Sequence, residues 1–217
     1  MAQQARAVQT RRQIVDGAAE LFGRAGFERA RLNDIVGETG LTRGAIYFHF
    51  ESKEELATAV VDEFGVRSAA AVAAVTAVTA TGDYAVRQIA MLCREMGRLL
   101  GDDPVVGAGI RLVIELNSGQ VPIPVYSAWI EALKHLVSIG LAEGDVRPGT
   151  DPAEAATFIT EAFVGAHVLS YAVSGHDDLS ARIDHLADTL MWTLMPAERV
   201  AAHPDLLGAQ LAESVPA

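Results

Sequence analysis

Only one cysteine, Cys93, occurs in 217 residues. No intrachain disulfide can form, and a reducing cytoplasm is the simplest setting. Aromatic residues make up only 6%, and few segments alternate apolar with polar side chains, which argues against strands. The N-terminal stretch lacks the apolar centre of a signal peptide. The longest low-charge run, Ser68 to Gly82, falls short of the about 20 apolar residues that a bilayer crossing needs, so no membrane partner is expected. Glycines cluster between Gly101 and Gly109, yet they form neither GxGxxG nor GxxxxGK, which removes the common phosphate cradles. His167, His176 and His185 lie nine residues apart, and His185 sits three before Asp188. None of this is HExxH or CxxC spacing, so neither a metal nor a cofactor is expected. Cys93 has no histidine at short fixed spacing, and no Ser/His/Asp set stands out. An enzyme is therefore not the expected reading. Positive charge is scarce as well. The net charge of -11 at first argues against a nucleic-acid partner.

What is present points elsewhere. Half of the residues are apolar, alanine is abundant, and most glycines fall near helix ends. The fold class expected is all-α. The charge is also unevenly spread. Residues 1–53 hold eight Lys/Arg and six Asp/Glu, whereas residues 54–217 hold nine and twenty-two. A near-neutral to basic head on an acidic body suits a small DNA-binding module whose body is held off the phosphates.

Met1 to Gln9 reads as a disordered arm. Thr10 to Ala25 places Ile14, Ala18, Leu21 and Phe22 on one face of an amphipathic helix, which Gly26 stops. Arg11 and Arg12 then fall in the first turn, against the helix dipole, where a bound phosphate would justify them. Leu32, Ile35 and Val36 give the next helix its buried side, up to Gly40. Thr42 is a suitable N-cap for a short helix from Arg43 to His49. In that helix Ala45 and Phe48 are expected to face inward with Ile46 supporting them, leaving Arg43, Gly44, Tyr47 and His49 outside. Two helices around a three-residue, glycine-containing turn form a helix-turn-helix, whose second helix enters the major groove. Arg43 suits a phosphate or a guanine edge, Gly44 permits close approach, Tyr47 offers a hydroxyl on a rigid arm, and Thr42 can reach a phosphate. Ser52-Lys53-Glu54-Glu55 is a capping box, with Lys53 directed at solvent or phosphate.

Beyond residue 60 the pattern stays helical. Expected helices run from Glu54 to about Thr81, from Asp83 to Leu100, from Pro104 to about Glu115, and from Val125 to Glu143. Two more run from a cap at Thr150-Asp151-Pro152 to about Val173 and from Leu179 to about Met195. Residues 117–124 read as a loop, and Pro196 onward as a tail with a short helix near Leu206. Ala155 to Val173 carries only Glu161 as a charge, so this helix must be buried nearly all round, in its own core or against a partner.

The stretch AELFGRAGFERARLNDIVGETGLTRGAIYFHFESKEELATAVV resembles the N-terminal domain of TetR-type transcriptional repressors. Phe22, Gly26, Phe27, Ile35, Gly40, Thr42, Gly44, Tyr47, Phe48, Phe50, Lys53 and Leu56 carry the likeness. One position departs: Arg31 stands where the family usually has Thr or Ser to cap the second helix. The segment from Asp103 to Met195 is similar to a narrower group, the γ-butyrolactone autoregulator receptors of actinobacteria. DDPVVGAGIRLVIE, YSAWIEAL and DPAEAATFITEAFVGAH carry that second likeness. The resemblance implies a helix-turn-helix domain over residues 1–52 and a helical ligand-binding and dimerisation domain over residues 53–217. It implies double-stranded operator DNA, a small-molecule effector, and a homodimer through the last two long helices as partners. Contacts to DNA are assigned to Arg11, Thr42, Arg43, Gly44, Tyr47, His49 and Lys53. Trp129 matches the pocket tryptophan of the narrower group, and a flat indole suits a small lactone. Phe163, Val164 and His167 lie at helical spacing one turn apart and are candidates to line the same cavity; Met91 and Ile110 are further candidates. The alternative is a repressor of an efflux or antibiotic gene that answers to a drug. A cationic drug would require an inward carboxylate from among Glu95, Glu115, Glu131 and Glu161.

Overall fold

A computed structural model describes residues 2–78, 85–116 and 124–202. Among these residues every regular element is a helix: α1 (Ala2–Ala25), α2 (Leu32–Thr39), α3 (Arg43–His49), α4 (Lys53–Val78), α5 (Ala85–Asp102), α6 (Pro104–Leu116), α7 (Pro124–Glu143), α8 (Pro152–Ser174), α9 (Leu179–Leu194) and α10 (Ala197–Ala202). The expected cap at Asp83, the loop at 117–123 and the short helix near Leu206 lie outside the described residues.

The chain forms two compact units. The first contains Met1–Ser68 with Asp102–Ile123, and the second Ala69–Gly101 with Pro124–Ala217. Helix α6 packs along α1 in the first unit. Val105, Ala108 and Leu112 of α6 join Ile14, Ala18, Phe22, Ile35, Ile46, Phe50, Leu56 and Val60 in one buried cluster. Three apolar side chains spaced one turn apart make α6 part of the head's core.

The first unit is closed by polar contacts as well as by packing. Arg67 of α4 donates to Asp103 at the start of α6 (2.7 and 2.8 Å), to Asp16 of α1 (2.9 Å) and to Glu63 (3.0 Å). Asp103 in turn accepts from the Val105 N–H at 2.9 Å. Close helix approach has a specific cause at Gly109, where an added Cβ would fall on the Cβ of Phe64. Gly109→Ala is therefore expected to destabilise the protein by about 1–3 kcal/mol, read as a lower urea midpoint at unchanged slope. An unchanged midpoint would mean that α4 and α6 part easily.

The second unit has its own core. Ile89, Leu92, Cys93 and Met96 of α5, Leu133 and Val137 of α7, Ile159 and Phe163 of α8, and Ile183, Ala187 and Leu190 of α9 are buried there. Burial pushes the Cys93 thiol up to about 12, so it is a small core side chain and not a nucleophile. Asp151 caps α8 by accepting from the N–H groups of Ala153 (2.8 Å) and Glu154 (2.9 Å). Gly175 closes α8 in the left-handed conformation. Helix α8 packs between α7 and α9, but it is not buried all round. Phe158, Val168, Leu169, Tyr171 and Val173 are exposed. By length and composition α8 could cross a membrane, which the shorter run at Ser68 to Gly82 could not.

Candidate functional site

Helix α1 begins at Ala2, eight residues before the expected start. Arg11 consequently lies inside the helix and not in its first turn, so no dipole argument applies to it. Its guanidinium sits 5.0 Å from the centre of the Phe50 ring. Arg31 precedes α2 in an extended conformation and forms no side-chain cap. Packing holds this helix instead: Ile35 is fully buried and Leu32 half-buried. Gly40 ends it at φ 65°. Gln13 of α1 donates to the Thr39 carbonyl at 2.9 Å and ties the turn to the head's core.

Thr42 caps α3, its hydroxyl accepting from the Ala45 N–H at 3.2 Å. The helix is only seven residues long, and its inward residues are Ile46 and, just beyond its end, Phe50. Two buried positions four apart leave one narrow stripe inside. Positions 47 and 48 then turn out, which corrects the expected inward place of Phe48: it is 81% exposed, and Tyr47 is 42% exposed. Phe48 is the surface residue that the sequence reading missed. The available signal was the i, i+4 pairing of Ile46 with Phe50.

The outward face of α3 thus carries Arg43, Gly44, Tyr47 and Phe48. The Arg43 guanidinium lies 5.3 Å from the Tyr47 ring centre, which orients both side chains. A Cβ at Gly44 would meet nothing within 4 Å, so nothing inside the chain requires glycine there. His49 is half-buried, edge-on to Phe48 at 5.2 Å.

Lys53 departs from the expected free cation. Its Nζ donates to the Phe27 carbonyl at 2.8 Å and lies 4.1 Å from the Phe27 ring centre. It anchors the start of α4 to the turn before α2. The capping box around it forms with a one-residue shift. Ser52 accepts from the Glu55 N–H (3.1 Å), and Glu55 reaches back to the N–H of Glu51 (2.7 Å).

The residues proposed for a ligand divide between the units. Ile110 is buried in the first. Met91, Trp129, Phe163, Val164 and His167 belong to the second. Trp129, Phe163 and His167 are buried, while Met91 and Val164 are half-buried. The Trp129 and Phe163 rings are 5.8 Å apart at 46°. One turn further along α8, His167 stacks on His176 at 4.8 Å. Burial first, and the neighbouring His176 second, hold the His167 imidazole down at about 4, so it is neutral at pH 7. Its Nδ1 is buried and has no hydrogen-bond partner among the described residues. Two aromatic faces beside a neutral polar nitrogen are chemically suited to an uncharged, mostly apolar molecule.

The four candidate carboxylates do not supply a cation site. Glu161 is exposed, Glu95 pairs with Arg98 and Glu131 with Lys134. Glu115 binds Arg111 and the Phe27 N–H. Among the described residues no cluster of His, Cys, Asp or Glu could hold a metal ion.

Residues 14–60 match the model of the bacterial regulatory proteins of the tetR family. The A-factor receptor protein of Streptomyces griseus is 34% identical over 213 residues, 95% of this chain and 69% of that protein. A solved γ-butyrolactone receptor, described as ArpA-like, superposes with a TM-score of 0.76 at 28% identity and covers 96% of this chain and 99% of its own. CprB of Streptomyces coelicolor, solved with its biological operator sequence, gives a TM-score of 0.75 at 30% identity, with the same 96% and 99% coverage. These likenesses run through both units, and so does the geometry: a capped, outward-facing α3 in one and an apolar aromatic core in the other. The chain belongs to the TetR family of transcriptional regulators, DNA-binding proteins and not enzymes.

Proposed function

We propose that the chain is a cytoplasmic, homodimeric repressor that binds a pseudo-palindromic operator and leaves it when a small lipophilic signal of the γ-butyrolactone type binds. The observation that carries this reading is the match to the A-factor receptor over 95% of the chain. A head-only likeness would leave the ligand open, whereas this one includes the helices holding Trp129, Phe163 and His167. The efflux-type alternative is less well supported, since Glu161 is exposed in the isolated chain and is not buried with the Trp129–Phe163 pair.

In this reading α3 enters the major groove. Arg43, Tyr47 and Phe48 reach base edges or phosphates, Gly44 allows the backbone to come close, and Thr42, Arg11 and His49 flank them. Lys53 acts indirectly by holding Phe27. A two-fold dimer presents two such helices to successive grooves. The exposed stripe of α8 and the adjoining surface of α9 are its proposed interface. Trp129 and Phe163 supply the ligand's apolar wall. DNA and ligand then favour different states of one dimer, a coupling of about 1–3 kcal/mol.

The test is binding of the purified protein to duplexes selected from a random pool, followed by addition of a synthetic γ-butyrolactone with an acyl side chain. The wild type is expected to bind a palindrome at nanomolar concentration and to release it. Tyr47→Ala and Phe48→Ala should each weaken specific binding by about 10- to 100-fold, the size of one lost base-reading contact. Trp129→Ala should bind DNA and fail to release it. Release by the lactone in Trp129→Ala would sink the pocket assignment, and unchanged affinity in both head variants would sink the assignment of α3.

A further inference from the structure

The turn between α1 and α2 is held by side chains from distant parts of the chain. The Phe27 N–H donates to Glu115 Oε2 of α6 at 2.7 Å. The Phe27 carbonyl accepts from Lys53 of α4 at 2.8 Å. Both polar backbone groups of one residue are thus fixed by charged side chains 88 and 26 positions away. Glu115 is itself fixed, its Oε1 accepting from Arg111 Nε at 2.7 Å. Arg111 Nη1 donates to the Gly23 carbonyl, in the last turn of α1, at 2.8 Å. Gly26 makes room for this pair. A Cβ there would lie 2.6 Å from Arg111 Nη2 and 2.9 Å from Glu115 Oε1, and the residue is left-handed at φ 76°. The glycine therefore does more than end α1: it opens the space that the Arg111–Glu115 pair fills.

We propose that Glu115 and Arg111 are positioning residues of the DNA-reading unit, setting the entry of α2, and through it α3, by holding the Gly26–Phe27 turn. This rests on the reading of α3 as the DNA contact. The capping of α2 makes the role necessary. Arg31 provides no side-chain cap, so the start of α2 lacks the usual local anchor. The turn immediately before it is instead anchored from outside, by charge-assisted bonds stronger than neutral ones. Helix α6 lies far from the helix-turn-helix in sequence, yet it supplies one of the two grips.

The experiment compares full-length wild type, Glu115→Ala and Glu115→Gln by amide hydrogen exchange, thermal unfolding and anisotropy with a duplex selected from a random pool. Glu115→Ala should make the segment 26–31 exchange at least about tenfold faster, and should lower operator affinity about tenfold, the scale of one charge-assisted hydrogen bond. Exchange in α1 and α9 should not change. Glu115→Gln keeps an acceptor for the Phe27 N–H and should recover the protection and most of the affinity. Unchanged exchange or unchanged affinity in Glu115→Ala overturns the proposal. So does a Gln variant as impaired as Ala, or a loss accompanied by faster exchange throughout the head. A wild type that binds no duplex overturns the DNA reading itself. The exchange arm uses no DNA and still decides whether Glu115 holds the turn.

Discussion

Leu169→Glu is expected to elute as a folded monomer of about the 23.0 kDa chain mass and to lose operator affinity by about 10²–10⁴-fold, the gain that two linked reading heads provide. The reasoning begins with a spacing. Phe158, Ala162, Gly165, Leu169 and Ala172 follow one another at steps of four, three, four and three along α8. That is the seam of a helix meeting another helix. Ala162 is half-buried, and the other four are exposed in the isolated chain, Leu169 by 50% and Phe158 by 57%. Small residues at 162, 165 and 172 allow backbones to come close, and nothing of the chain itself lies within 4 Å of a Cβ at Gly165. Such a stripe on a helix whose other side is packed calls for a partner. Near a two-fold axis each new carboxylate meets apolar surface and its own copy. Because Leu169 is half-exposed, the change should cost the isolated fold within about 0.5 kcal/mol. Sedimentation equilibrium with a circular dichroism melt measures both. A variant that stays dimeric with wild-type operator affinity would remove α8 from the interface.

The helices themselves were legible from the residues, because caps and stops are local. Thr42, Ser52 and Asp151 cap as their side chains allow, and Gly26, Gly40 and Gly175 end helices at positive φ. What the sequence hid was set by tertiary packing. The place of Phe48 depends on which stripe of a two-turn helix is buried, and Ala45/Phe48 and Ile46/Phe50 are both plausible stripes until the neighbours of α3 are known. Lys53 read as a free cation because its partner is a backbone carbonyl 26 residues away, and backbone carbonyls leave no mark in sequence. The same holds for α6. Its apolar residues Val105, Ala108 and Leu112 could serve any core, and only the fold places them against α1. Residues 2–9 read as a disordered arm because their polar composition has no strong period, yet they extend α1. In the second unit Trp129, Phe163 and His167, which the sequence offers as ligand contacts, are buried side chains. Ile110, offered with them, belongs to the other unit.

Acid should weaken the second unit by about 2 kcal/mol between pH 7.5 and pH 5, and His167→Phe should remove most of that loss. The folded imidazole is held at about 4, chiefly by burial and then by the adjacent His176, whereas an unfolded histidine titrates near 6.5. Between those values the unfolded chain binds a proton that the folded chain refuses. Stability is therefore complete above about pH 6.5 and declines as pH falls toward 4, to a total of about 3 kcal/mol. His176 contributes in the same sense, since burial lowers it too. Asp178 acts in a separate and more acidic window. Hydrogen bonds from Arg182, Ser170 and Ser174 hold its carboxyl well below the usual range, so its contribution persists until the pH falls below about 4. Phenylalanine preserves the ring stack on His176 without the buried, unpartnered Nδ1. Urea midpoints of both proteins at pH 7.5, 6.5 and 5 give the comparison. A His167→Phe protein that loses stability as steeply as the wild type would show that the imidazole is not the titrating group. A flat profile, combined with weaker release of DNA by the lactone, would mean that the nitrogen which costs stability in the empty core is the polar contact the ligand uses. Filling that contact would recover part of the cost on binding.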